Sequence, residues 1–110
     1  MPRRLHVYIM ASASGVIYIG STSNLRQRVW QHRVDWFKGF SGKYRVDRLV
    51  YFEDHSAPSA MVTRERQLKG WVRRRKVDLI ELENGGWRDL AEGWFGGDGR
   101  SGPRGRAGAG

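Results

Sequence analysis

The chain has 110 residues and a mass of 12.6 kDa, a length typical of a single domain. It contains no cysteine, which excludes disulfides and thiolate metal sites. The 20 Lys and Arg residues outnumber the 11 Asp and Glu residues and give a net charge of +9. This excess favours a polyanionic partner, nucleic acid first and an anionic membrane surface second, but a basic surface without such a partner is equally compatible with it.

The first distinctive segment is the uncharged run over residues 7–25, which follows two arginines. Basic residues before an apolar run are typical of an export signal, and the length approaches that of a membrane span. However, residues 5–10 and 16–19 are rich in β-branched and aromatic side chains, and residues 12–15 have turn composition. We therefore predict a β-hairpin in a cytoplasmic protein that does not span the membrane.

The hairpin places its two tyrosines together. If Tyr8 pairs with Tyr18, the loop is centred on Ala13. Residues opposite each other in an antiparallel pair share a face of the sheet, so both phenols point to one side, together with the bare backbone of Gly20. The alternative is that the tyrosines form an ordinary cross-strand aromatic pair.

Helices and a third strand follow the hairpin. Ser23 or Asn24 caps a helix over residues 25–37, in which Leu25, Val29 and Trp36 face inward and Arg28 and His32, four residues apart, share one face. A strand over 47–53, a helix from 58 to about 75 and a short helix over 77–83 come next, and Trp87 and Leu90 cover the core. These elements predict an α+β domain over residues 1–92, followed by a disordered Gly/Arg-rich tail over 93–110.

One carboxylate lies in an apolar stripe. In the second long helix Met61, Leu68 and either Trp71 or Val72 follow a helical spacing, and Glu65 falls on the same face. An ionised group is seldom buried without a partner. Glu65 is therefore either a surface residue paired with Arg64 or Lys69, or a carboxylate at the rim of the core that binds a metal ion or acts as a general base.

The order of these motifs resembles the GIY-YIG nuclease family. The segments that carry the resemblance are "VYI" with Tyr8, "YIG" at 18–20, "SNLRQRVWQH" with Arg28 and His32, "LVYFE", and "RERQLKGW" with Glu65. The first triplet departs from the family pattern, because only its tyrosine is kept. The chain is most similar to the short stand-alone bacterial members over residues 5–92. The resemblance implies a three-stranded antiparallel sheet flanked by helices and a DNA endonuclease that requires a divalent metal ion.

The resemblance also implies roles for five residues. Glu65 would bind one Mg²⁺ or Mn²⁺ ion. Tyr8 would act as general base or proton relay, which requires a nearby positive charge because a free phenol has a pKa of about 10. Tyr18 would bind the phosphate or the attacking water, and Arg28 the scissile phosphate. His32 would serve as base, acid or phosphate ligand, although a packing role is compatible with the same position.

Further residues are candidates for DNA contact or for support of the site. Gly20 would admit substrate to the backbone, and Asn84 would support the site. Five basic residues would contact backbone phosphates: Lys43, Arg73, Arg74, Arg75 and Lys76. For the run over residues 73–76, a solvated charged surface is the alternative.

The sequence thus favours an endonuclease that selects DNA by structure or end type, in DNA repair or recombination. A non-catalytic DNA- or RNA-binding module with the same fold is the alternative. A protein-interaction domain would leave the polar residues unexplained.

Overall fold

The computed structural model describes residues 4–37 and 45–95, with the side chains of 35–37 excepted. Its three strands form one antiparallel sheet in the order β2-β1-β3, and three helices flank it. The predicted fold class is confirmed. The elements are β1 Leu5–Ala11, β2 Ile17–Thr22, α1 Leu25–Phe37, β3 Arg48–His55, α2 Pro58–Gly70 and α3 Arg73–Glu83.

The central strand β1 is buried on both faces. On one face it packs under α2 and α3, and on the other under α1 and the segment after α3. A strand buried on both faces has a continuous apolar sequence rather than an alternating one, which explains why β1 contains no Lys, Arg, Asp or Glu. No helix among the described residues is long and apolar enough to cross a membrane. The two core clusters are Val7, Ile9, Ala11, Ile19, Val50, Leu68 and Ile80 on the α2 side, and Tyr8, Met10, Leu25, Val29, Leu49, Ala91 and Phe95 on the α1 side.

The hairpin register differs from the prediction by two residues. Tyr8 lies opposite Gly20, and Tyr18 lies opposite Met10. The turn decides this register: Gly15 has a φ of +93° and donates its N–H to the carbonyl of Ser12 at 3.1 Å, a backbone conformation that glycine adopts readily. Because a shift of two residues keeps every side chain on its face, the phenols still point to one side.

The helix α1 has the predicted bounds, and Asn24 provides its cap. The Asn24 side-chain oxygen accepts the backbone N–H of Gln27 at 3.2 Å. Leu25 and Val29 are buried as predicted, whereas the side chain of Trp36 lies outside the described part.

The second long helix ends earlier than predicted. It stops at Gly70, and α3 begins at Arg73, so the predicted continuation to residue 75 is wrong. Glycine is a poor helix former, and Trp71 and Val72 take extended conformations. Trp71 thereby packs against the α2-side core, while Val72 is 66% exposed.

The segment after α3 extends the ordered domain past the predicted boundary at residue 92. Trp87 packs on the core as predicted, but Leu90 is 40% exposed, and Ala91 and Phe95 are buried instead. The ring of Phe95 lies against Trp30, with centroids 5.5 Å apart. The predicted disorder of the remaining tail concerns residues 96–110, which lie outside the described residues.

Candidate active site

Three rings from three elements meet on the α1 side of the sheet. The hydroxyl of Tyr8 in β1 hydrogen-bonds to Nε2 of His32 in α1 at 3.1 Å. The ring of Tyr18 in β2 lies 4.9 Å from that of His32 and 6.3 Å from that of Tyr8, between centroids. Tyr8 is fully buried, whereas Tyr18 is 40% exposed. We call Tyr8, Tyr18 and His32 the ring cluster.

The ring of Tyr8 occupies the space that the missing side chain of Gly20 leaves open. A Cβ atom on Gly20 would lie 2.6 Å from the hydroxyl oxygen of Tyr8 and 3.1 Å from Cε2 of Tyr18. The predicted use of Gly20, to admit substrate to the backbone, is therefore not what the structure shows. Glycine is needed here because the phenols pack directly on the strand.

The phenol of Tyr8 is held in its neutral form. Burial raises its pKa from 10.0 to about 12, although the hydrogen bond and positive charge of Arg28 act in the opposite direction. Arg28 therefore lies where the sequence predicts it, beside Tyr8. Its effect is smaller than that of burial, so the hydroxyl of Tyr8 keeps its proton at neutral pH.

Glu65 approaches the same edge strand from the other face of the sheet. Ser21 of β2 donates its hydroxyl to Oε1 of Glu65 at 2.5 Å, and Nζ of Lys69 lies 2.8 Å from Oε2. Burial alone would raise the pKa of Glu65, but the hydrogen bonds from Lys69 and Ser21 outweigh it and hold the pKa below its usual range. Of the two pairings that the sequence leaves open, the structure shows that with Lys69; Arg64 binds Glu53 instead.

The two groups of polar residues are adjacent across β2. Ser21 lies opposite Val7, and Gly20 opposite Tyr8, so Glu65 and the ring cluster flank the strand on opposite faces. The charge of Lys69 nevertheless interacts with Tyr18. Because β2 is an edge strand, a ligand lying along this edge can touch both groups.

The basic run at the start of α3 is not a row of free cations. Arg73 donates to the carbonyl oxygen of Gly15 at 2.8 Å, and Arg74 pairs with Asp78 at 3.3 Å. The guanidinium of Arg75 lies 4.1 Å from the ring centre of Trp71. Lys76 is half-buried, and Lys43 lies outside the described residues. Arg73 to Arg75 are exposed, so DNA contact by this run remains a prediction.

Asn84 supports the fold rather than the ring cluster. It is 8% exposed and donates its side-chain N–H groups to the carbonyls of Val50 and Arg88 at 3.1 and 2.9 Å. Its side-chain oxygen accepts the N–H of Arg88 at 3.0 Å. These contacts tie the end of α3 to β3, the edge strand opposite β2.

Sequence reasoning missed Ser21 as a partner of Glu65. The Glu65–Lys69 pair has a sequence signal, because residues four apart meet on a helix. Ser21 has no such signal, since its contact with Glu65 arises only when α2 packs on β2.

The donor chemistry of this edge fits a hard divalent cation. Among the described residues, no three His, Asp or Glu side chains come together as a metal cage. Glu65 is an ionised carboxylate, and Mg²⁺ is commonly bound by one or two carboxylates, water and a substrate phosphate. An ion at Glu65 would therefore take most of its other ligands from water and substrate.

Comparison with known proteins identifies the family. The profile of the GIY-YIG catalytic domain matches residues 4–78. A UPF0213 protein of Haloquadratum walsbyi is 32% identical over 80 residues, covering 69% of this chain and 85% of that protein. One of Natronomonas pharaonis is 32% identical over 84 residues, covering 73% and 94%.

A solved structure shares the fold. The solution NMR structure of the UPF0213 protein BH0048 from Bacillus halodurans matches with a TM-score of 0.50 and 24% identity, over 81% of this chain and 95% of that one. At this identity the match supports the fold alone. The match to the GIY-YIG catalytic domain shows that this chain belongs to that family, a family of nucleases, and the two 32% identical relatives place it among the short UPF0213 proteins.

Proposed function

We propose that this protein is a divalent-metal-dependent endonuclease that hydrolyses phosphodiester bonds in DNA, selects its substrate by structure or end type, and acts in the cytoplasm in DNA repair or recombination. The observation that carries the proposal is the edge of β2, where the ring cluster and Arg28 lie on one face and ionised Glu65 on the other. The net charge of +9 supports a polyanionic substrate.

The ring cluster provides a route for the proton of the attacking water. Tyr8 is buried in the protein alone, so the relay begins when substrate binding places a water at its hydroxyl. Tyr8 then takes a proton from that water as it passes its own hydroxyl proton to Nε2 of His32, 3.1 Å away. This relay suits a phenol whose pKa is about 12, because no free phenolate forms, and a neutral imidazole can accept a proton on its unprotonated ring nitrogen. The resulting hydroxide attacks phosphorus, and the bond to the leaving oxygen breaks.

Arg28 and a metal ion would neutralise the negative charge of the phosphate. Arg28, beside Tyr8, offers a guanidinium fork to the non-bridging oxygens. A Mg²⁺ or Mn²⁺ ion at Glu65 would neutralise charge on the phosphate and stabilise the leaving oxygen. Tyr18, 40% exposed, is positioned to hydrogen-bond the phosphate or the water.

The test compares cleavage of nicked, branched and single-stranded DNA with and without Mg²⁺ or Mn²⁺. We expect wild type to cut only with metal, and Glu65→Gln and Arg28→Gln to bind DNA but cut at least about 100-fold more slowly, the scale seen when one transition-state contact is removed. Exposed residues of the same types supply matched controls, Glu83→Gln and Arg88→Gln, which are expected to cut like wild type.

Two outcomes would contradict the proposal. Binding by wild type and both site variants without cutting by any would favour the non-catalytic DNA- or RNA-binding module. Cutting by Glu65→Gln at the wild-type rate would show that the carboxylate takes no part in the reaction.

A further inference from the structure

A cleft lies beside the ring cluster on the same face of the sheet. It is an open cleft of about 380 Å³ between the start of β1, the start of α1, β3 and the segment after α3. His6, which lines it, precedes Tyr8 by two residues in β1, so both side chains share a face and lie about 7 Å apart along the strand. Phe52, on another wall, is the β3 partner of Tyr8. We call this feature the aromatic cleft.

Two aromatic rings form a corner of the aromatic cleft. The rings of Phe52 and Trp94 have centroids 6.4 Å apart and planes inclined by 65°. Phe52 is 38% exposed, although its neighbours in the sheet are largely buried. A planar ring can stack on one wall of such a corner and meet the other edge-on.

The charged groups of the cleft lining are basic. Arg4 has a side chain that is 69% exposed and lies 3.5 Å from Asp54, which is outside the cleft lining. Arg26 is exposed, yet its guanidinium is held in place because it donates to the carbonyl of Trp94 and lies 5.4 Å from the ring centre of Phe95. The cleft therefore combines flat apolar walls with fixed positive charge.

His6, one of the lining residues, carries a buried polar atom without a hydrogen-bond partner among the described residues. Its Nε2 lies 2.7 Å from Oδ1 of Asp54, whereas Nδ1 is the buried side-chain polar atom that lacks a hydrogen-bond partner among the described residues. Buried polar atoms without partners are rare in native proteins and often mark a functional position.

We propose that the aromatic cleft binds one unpaired nucleotide of DNA, the neighbour of the nucleotide whose phosphate lies at Arg28. Its base stacks on Phe52 and meets Trp94 edge-on, and its phosphate lies against Arg4 and Arg26. Stacking on aromatic side chains beside cationic groups is how proteins hold single strands without reading their sequence. The proposal rests on the proposed function and narrows it: the substrate has an unpaired or frayed nucleotide next to the cleavage site, because a base stacked in a duplex cannot enter the cleft.

The first experiment separates stacking from folding. Phe52→Leu keeps an apolar side chain in β3 but removes the ring, whereas Phe52→Tyr keeps the ring. We expect Phe52→Leu to bind oligo(dT) at least about tenfold more weakly, as loss of one stacked base predicts, and Phe52→Tyr to bind within about twofold of wild type. Circular dichroism and thermal unfolding confirm that both variants are folded.

The second experiment tests the charges. Arg4→Gln is expected to reduce the slope of the logarithm of the oligo(dT) association constant against that of salt concentration by about 0.7, the value for one phosphate contact on a single strand. The control Arg88→Gln makes the same charge change at an exposed residue outside the cleft lining and is expected to leave the slope unchanged. Titration with inorganic phosphate shows whether the arginines bind the anion without a base.

The outcomes distinguish this inference from the proposed function. If wild type cuts DNA but Phe52→Leu and Arg4→Gln bind and cut single-stranded and frayed DNA like wild type, the cleft inference is wrong and the nuclease proposal stands. Equal affinity of inorganic phosphate for wild type and Phe52→Leu, with no loss of oligo(dT) binding, would also overturn it. If Phe52→Leu weakens oligo(dT) binding but neither wild type nor any variant cuts DNA, the cleft is supported and the nuclease proposal fails.

Discussion

Gly20→Ala is the substitution that most directly tests the ring cluster. The added methyl group would lie 2.6 Å from the Tyr8 hydroxyl oxygen and 2.8 Å from Cζ of the same ring. Such distances are not tolerated, so the ring of Tyr8 must move away from β2. Its hydrogen bond to His32 is then lost or weakened.

The cost follows from these two effects. Overpacking a buried position costs about 1–3 kcal/mol, and loss of one hydrogen bond costs about 1 kcal/mol. We therefore expect the free energy of unfolding to fall by about 2–4 kcal/mol. For a domain of this size that corresponds to a decrease in Tm on the order of 10–30 °C.

The assay is urea and thermal unfolding of the single and double variants. In a Tyr8→Leu background the phenol is absent, and we expect Gly20→Ala to cost less than about 0.5 kcal/mol, which gives a coupling energy of about 1.5–4 kcal/mol in the double-mutant cycle. Gly70→Ala is the matched control, because a Cβ at Gly70 meets nothing within 4 Å. If Gly20→Ala costs the same with and without Tyr8, the packing explanation is refuted.

Two further predictions concern the buried tyrosines and Asn84. The pKa values of Tyr8 and Tyr51 are both raised from 10.0 to about 12. A raised pKa means that the folded state holds its proton more tightly than the unfolded state. The free energy of unfolding should therefore decrease as pH rises from about 10 to about 12. Ultraviolet titration should show Tyr8→Phe losing one late-ionising phenol, and an unchanged late phase would contradict the assignment. Asn84→Ala should lower the free energy of unfolding by about 1–3 kcal/mol, since it removes the partner of the buried Val50 carbonyl and of the partly buried backbone groups of Arg88. Asn84→Asp should be at least as destabilised, because it places a carboxylate oxygen against the same two carbonyls. A value for Asn84→Ala within about 0.5 kcal/mol of wild type would exclude this role.

The order of elements was predictable because each is a local property of the chain. Strand composition, the turn at residues 12–15 and the cap at Asn24 each act over a few residues, and they identify the hairpin and α1 without tertiary information. The face shared by Tyr8 and Tyr18 follows from strand alternation alone, so it withstands the two-residue error in register.

The errors occur where packing overrides local preference. The break between α2 and α3 depends on Trp71 reaching the core, and the helical spacing through residue 75 gives no sign of it. Phe95 lies in a glycine-rich segment that cannot pack by itself, and it is buried because Trp30 and Leu49 already form a surface for it.

The chain by itself thus determined that a basic α+β domain carries two tyrosines on one face of a hairpin, and an arginine and a histidine on one face of the helix that follows. Only the tertiary structure decided how these groups behave. Burial under α1 raises the pKa of Tyr8 against the effect of Arg28, and packing of α2 on β2 brings Ser21 to Glu65. The physical reason is that pKa values and long-range contacts depend on neighbours from distant parts of the chain, which spacing in the sequence does not encode.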